Sequence, residues 1–119
     1  MSNPPDIQSI VGRFVDAFNE NDPDLAPLTS DVVYRGPMIP EPLRGEVAVR
    51  RHIDQVAPFV ASLKIRRLVA EGDSAAAILE FTGVNGVVIE GADFFRFRDG
   101  LICEDLIFFD TRPLIRGSS

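Results

Sequence analysis

The stretch Val88 to Asp105, VIEGADFFRFRDGLICED, holds five acids, of which Glu90, Asp93 and Asp105 raise the question of function because they stand in or beside runs of Val, Ile, Leu and Phe. Apolar surroundings disfavour the charged form of a carboxyl, so its pKa rises, and a second acid nearby raises it further. Two such acids, one protonated and one ionised, can supply a general acid and a general base. The competing readings are a solvated acid, or a buried structural acid satisfied by backbone N–H groups or an arginine. Alternation along a strand separates these cases. From Val87 to Arg98 one face holds Ile89, Gly91, Asp93, Phe95 and Phe97, while the other holds Val88, Glu90, Ala92, Phe94, Arg96 and Arg98. The first is apolar except for Asp93 and is predicted to be the concave face, which leaves Glu90 in solvent. In Leu101 to Asp110 both faces are apolar, so alternation alone does not orient Asp105.

Other reactive side chains are fewer. Tyr34, inward with Gly36 on the first predicted strand, is a hydroxyl able to orient a substrate oxygen or a water. His52 borders a helical stripe of Val49, Ile53 and Val56 and reads first as a boundary residue, with a pocket base as the alternative. Cys103 shares a predicted face with Asp105 but has no activating cation in view, and reads as a small core residue. Glu80 falls with Ala76, Ile78 and Thr82 on an outward face. No metal-ligand spacing, glycine-rich phosphate loop or Ser/His/Asp arrangement occurs, so no cofactor and no metal is expected.

The elements that must position these groups follow from periodicity. Ile7, Ile10, Val11, Phe14, Val15 and Phe18 form one helical stripe between residues 5 and 20. Asp22-Pro23 reads as a cap and first turn opening a short helix through Leu28. DVVYRG, from Asp31 to Gly36, reads as a strand, and PMIPEPLRG as an irregular loop. A third helix is predicted from Glu46 to Phe59. Strands follow: Leu63, Ile65 and Val69 alternate, with a bulge expected where Leu68 adjoins Arg67. Ala75 to Val84 returns, Asn85-Gly86 gives the strongest hairpin signal, and Asp99-Gly100 gives a second. The tail TRPLIRGSS carries no clear element. Helices followed by an antiparallel meander is an α+β arrangement.

Composition bounds the function. The chain has 119 residues, enough for one core, and is read as a single domain over 1–119. Its net charge of −6 disfavours a nucleic-acid partner. The apolar runs are too short to span a bilayer, so no membrane partner is expected. The start MSNPPDIQS lacks the pattern of a signal peptide, and with a lone cysteine this favours a cytoplasmic protein.

Four stretches, RFVDAFNENDPDLAPL, DVVYRGPMIPEPLRGEVAVR, AEGDSAAAILEF and GADFFRFRDGLICEDLIFFD, resemble in this order the nuclear transport factor 2-like superfamily, in particular its SnoaL-like and ketosteroid isomerase-like members. The resemblance implies a cone-shaped α+β barrel, with three N-terminal helices packed on a strongly curved, mainly antiparallel sheet. It also turns Asp105 inward beside Asp93 and leaves Leu106, Phe108 and Phe94 on a convex face, where many family members form homodimers. The isomerase's residues carry over unevenly. Its helix-1 tyrosine falls on Phe14 and its base on Gly36; only its second acid finds a match, in Asp93. VVYRGPMIP is similar to the first-strand region of limonene epoxide hydrolase, with Tyr34 at the water-positioning tyrosine. The asparagine of that set becomes Gly36, its Arg-x-Asp pair falls near Glu80 and Thr82, and its last-strand aspartate falls near Ile107.

These readings imply a cofactor-free acid/base enzyme (isomerase, cyclase, dehydratase or epoxide-hydrolase-like) acting on a small hydrophobic molecule in an apolar pocket. Asp93 would be a neutral acid or proton shuttle, Asp105 its partner and Tyr34 the orienting hydroxyl. The expected binding walls are Phe14, Phe18, Gly36, Ile53, Phe95, Phe97 and Ile107. The alternative is a non-catalytic domain of the same fold that binds a hydrophobic ligand or only dimerises.

Overall fold

The computed structural model describes residues 6–116. The helical stripe becomes α1 (Ile7–Asn19), capped by the Asp6 carboxylate, which accepts from the Gln8 N–H. Ile10, Val11, Phe14, Val15 and Phe18 are all buried along it. Asp22 caps only a single 3₁₀ turn, Pro23–Leu25, rather than a helix through Leu28. The middle one of the three expected helices is therefore one turn long. Arg50 holds that turn down: one guanidinium nitrogen donates to the carbonyls of Pro23 and Ala26, and the group also pairs with Glu46.

Strand β1 (Leu28–Arg35) starts three residues earlier than predicted. The proline-rich loop contains a two-residue strand, β2 (Leu43–Arg44), paired antiparallel to β1. Helix α2 (Glu46–Val56) begins at Gly45, whose φ of 91° suits glycine. It ends in a 3₁₀ turn, Ala57–Phe59. The meander then runs β3 (Val60–Glu71), β4 (Ser74–Gly83), β5 (Val88–Arg98) and β6 (Leu101–Phe109), in the sheet order β2-β1-β6-β5-β4-β3. All neighbours are antiparallel except β1 and β6, which run parallel. A last helix, α3 (Arg112–Arg116), occupies the tail where no element was expected.

The two hairpin signals act differently. At Asp99-Gly100 both residues have positive φ, 56° and 77°, the geometry of a tight two-residue turn. At Asn85-Gly86 only Gly86 does, and the connection is a wider loop in which the Asn85 side chain accepts from the Val87 N–H.

Bulges set the inner face. The β3–β4 register slips between Ile65 and Arg67, so Arg66 is the extra residue. Leu63, Ile65 and then Leu68 pack against the core, while Val69 turns outward. A second slip, between β5 and β6, makes Cys103 the extra residue. Leu101 and Cys103 therefore do not continue the Asp105 face; Ile102 does, fully buried opposite Phe97. Each bulge increases local twist and curvature, and the curled sheet closes around α1 and α2 as a cone. The Asn19 side chain ties the end of α1 to β3, donating to the Leu63 carbonyl and accepting its N–H. No helix among the described residues is long and apolar enough to cross a membrane.

Candidate functional site

The cone encloses an open pocket of ≈ 350 Å³, within the range of small-molecule sites. Helix α1 contributes Phe14 and Phe18, and α2 contributes His52 and Val56. The sheet supplies Leu79, Phe81, Ile89, Gly91, Ile107 and Phe109. Met38 and Ile39 from the loop after β1, with Leu114 from α3, complete the rim. These last three come from segments whose irregular or short patterns gave no sign of a binding role.

The polar groups gather on one wall. On β5, Ile89, Asp93, Phe95 and Phe97 are buried while Val88, Glu90, Phe94, Arg96 and Arg98 are exposed, the separation that alternation predicts. Glu80 lies on the outward face of β4 near Arg66, at 4.0 Å. Strand β6 lies between β5 and β1, with Asp105 directly opposite Phe95 on one side and Tyr34 on the other. Asp93 pairs with Ile107, which makes Asp93 and Asp105 diagonal neighbours on the concave face. Asp93 keeps 4% of its surface and opens into the pocket, whereas Asp105, at 1%, lies behind the pocket wall.

Burial first, and then the neighbouring Asp93 charge, pushes the Asp105 carboxyl well above the carboxylate range. Burial also raises Asp93, from 3.8 to about 6, opposed by a contribution from the Asp105 carboxyl. Both Asp105 oxygens are buried without another hydrogen-bond partner among the described residues, so the proton Asp105 keeps is shared with the Asp93 carboxyl, which raises the one acid and lowers the other. The pair is best described as a dyad in which the deeper acid keeps its proton and Asp93 exchanges one near neutrality. Tyr34 is pushed well above 10 by burial and then by the two acids, so its phenol stays protonated. Its ring lies 5.1 Å from that of His52, which burial holds below its ordinary pKa and hence neutral at pH 7. His52 thus belongs to the pocket wall and is more than a boundary residue. The signal that could have found it is its place one residue from Ile53, at the edge of a stripe facing an enclosed space.

Of the predicted wall residues, Phe14, Phe18, Gly36 and Ile107 line the pocket. Ile53, Phe95 and Phe97 do not. Ile53 is fully buried, and Phe95 is sandwiched between Phe14 at 5.6 Å and Phe97 at 6.1 Å, so these side chains fill the closed end of the cone as core. Among the described residues no cluster of His, Cys, Asp and Glu has the makings of a metal site.

Comparison with known proteins agrees with this architecture. TsrD from Streptomyces laurentii superposes with a TM-score of 0.79 at 30% identity, covering 93% of this chain and 92% of that one. A protein from Kribbella flavida gives a TM-score of 0.82 at 17% identity, with 92% and 91% covered. An NTF2-like protein from Cytophaga hutchinsonii gives 0.79 at 20%, with 97% and 99% covered. No curated protein sequence matches the chain significantly. The SnoaL-like domain model matches residues 11–105, from the middle of α1 to the buried acid of β6, and the chain belongs to the SnoaL-like family within the nuclear transport factor 2-like fold.

Proposed function

We propose that this protein is a cofactor-free acid/base enzyme acting on a small, largely hydrophobic molecule. The observation that carries the reading is an open apolar pocket whose polar groups, Asp93, Tyr34 and His52, converge on one side and are backed by a second buried acid. Above about pH 6, Asp93 is a carboxylate in a nearly dry site, able to take a proton from a substrate carbon or hydroxyl and return it elsewhere. Tyr34, kept protonated, can donate a hydrogen bond to a developing oxyanion. Asp105 retains its own proton and tunes Asp93 from behind. Isomerisation, cyclisation, dehydration or water addition all need only these steps.

Gly36 offers a direct test. A Cβ there would sit 3.5 Å from Ile107 Cβ and 3.8 Å from Ile39 Cδ1, ordinary contacts, and its φ is not left-handed. Gly36→Leu therefore folds normally and places its outer carbons in the cavity. In a thermal-shift screen of hydrophobic small molecules, compounds that stabilise the wild type lose at least about tenfold in affinity in this variant. Equal binding in both proteins would place the ligand elsewhere.

We also propose a homodimer through the convex sheet face. Phe94 and Phe108 are 49% and 52% exposed there, with rings 6.0 Å apart, and exposed Ile78, in register with Ala92 and Phe108, extends the patch. A contiguous apolar surface of this kind is disfavoured in a monomer, and a second copy supplies the same surface in return. Phe108→Lys is expected to halve the particle mass in sedimentation at unchanged helix and sheet content. A wild type already monomeric at high concentration excludes the dimer.

A further inference from the structure

Asp93 and Asp105 are buried acids that pair with no basic side chain among the described residues. The ion pairs among the described residues join Arg50 to Glu46, Arg66 to Glu80, Arg98 to Asp31 and Arg112 to Asp110, none of which lines the pocket. No lysine or arginine lines the cavity among the described residues. Buried charges in proteins are ordinarily paired, and among the described residues no cation is offered to Asp93, the acid that opens into the pocket. The walls are of a matching kind. Phe14, Phe18, Tyr34, Phe81 and Phe109 bring aromatic rings to the same space, and the negative faces of such rings attract a desolvated cation.

Three ligand classes can be weighed against this lining. An anion would meet Asp93 with no compensating charge, inside a chain of net charge −6. A neutral apolar molecule would satisfy the rings but strip Asp93 of its remaining water without replacing it. A cation on an apolar body satisfies both walls. We infer that the pocket takes a cationic amine carried on a hydrophobic body, with the ammonium beside Asp93 and the body against the phenylalanines. This rests on the pocket being the ligand site, as proposed above, and names the chemical class that fills it.

The pH dependence has a definite sign. The titratable groups around the cavity are Asp93 on β5, Asp105 on β6, Tyr34 on β1 and His52 on α2; α1 presents only Phe14 and Phe18, and Ala77 on β4 faces Asp93 without charge. Asp105 and Tyr34 stay protonated, while His52 loses its charge below its ordinary pKa. Affinity for a permanent cation therefore rises as Asp93 ionises through about pH 6, and then stays level over the range in which Tyr34 keeps its proton.

The probes are benzyltrimethylammonium, its carbon isostere neopentylbenzene and the anion phenylacetate, each titrated into wild type and Asp93→Asn and followed by NMR. At about pH 8 the cation should bind the wild type roughly tenfold or more tightly than the isostere, with phenylacetate weakest, and Asp93→Asn should erase the difference. An isostere that binds the wild type as well as or better than the cation overturns the inference while leaving the pocket reading intact. If none of the three binds and Gly36→Leu changes no other ligand's affinity, the pocket reading fails and this inference fails with it.

Discussion

Asp93→Asn should make the protein more stable at about pH 8 while removing its activity. The folded protein holds the Asp93 proton at about pH 6 against an ordinary 3.8, chiefly because burial penalises the carboxylate. The folded state therefore binds more protons than the unfolded one between these values. Stability is fully present below pH ~4 and is lost as pH rises through about 6, a change of about 3 kcal/mol for this group. Asparagine cannot ionise and escapes that loss. At pH ~8 the variant is expected to be up to about 3 kcal/mol more stable, on the order of 10 °C in Tm, and at pH ~3 the two proteins should coincide. Turnover of any substrate found in the screen should fall by about 10²–10⁴-fold, the range for losing a general acid or base. An acid kept for structure behaves in the opposite way, since its replacement leaves donors unsatisfied at every pH. Urea unfolding of both proteins at the two pH values decides the matter, and an Asn variant less stable at pH ~8 would make Asp93 a structural residue.

Phe95→Ala is expected to cost about 3–5 kcal/mol, the usual loss for emptying a fully packed aromatic site. Marginal stabilities of about 5–15 kcal/mol leave little beyond that, so the variant should unfold at modest temperature. Phe95 packs edge-on to Phe14 and stacks on Phe97, and alanine would leave a void that neither ring can close. Phe81 is half-buried and faces the pocket, so its truncation opens space already adjoining a cavity. Phe81→Ala should weaken ligand binding with a much smaller loss of stability. The pair of variants separates core from pocket; comparable stability losses in both would return Phe95 to the ligand wall.

The same distinction shows how far the residues alone could be read. Period-two spacing on β5 was enough to turn Asp93 inward and Glu90 outward, because a strand buried on one face has only two orientations and three charges on one side decide between them. Helices α1 and α2 were legible for the same kind of reason, each carrying an apolar stripe. The bulge at Arg66 could be suspected from Leu68 breaking the alternation. Around Cys103 each face carries apolar residues and one acid, Glu104 or Asp105, so the slip that turns Ile102 inward in its place left no mark in composition. The one-turn Pro23–Leu25 and the helix α3 are too short for periodicity to register.

By itself the sequence determined the fold class, the face of Asp93 and the inward position of Tyr34, all consequences of local spacing and of the cost of burying charge. Only the tertiary structure decided which inward residues meet an opening and which meet one another. Phe14 and Phe95 look alike in a string of letters, yet the taper of the cone leaves one beside the cavity and closes completely over the other. Asp105, Asp93 and Tyr34 come together because β6 is inserted between β5 and β1, one pairing antiparallel and the other parallel. The β1–β6 pairing joins residues about 70 apart in the chain, a long-range choice made by the whole core as it packs, and local spacing carries no information about it.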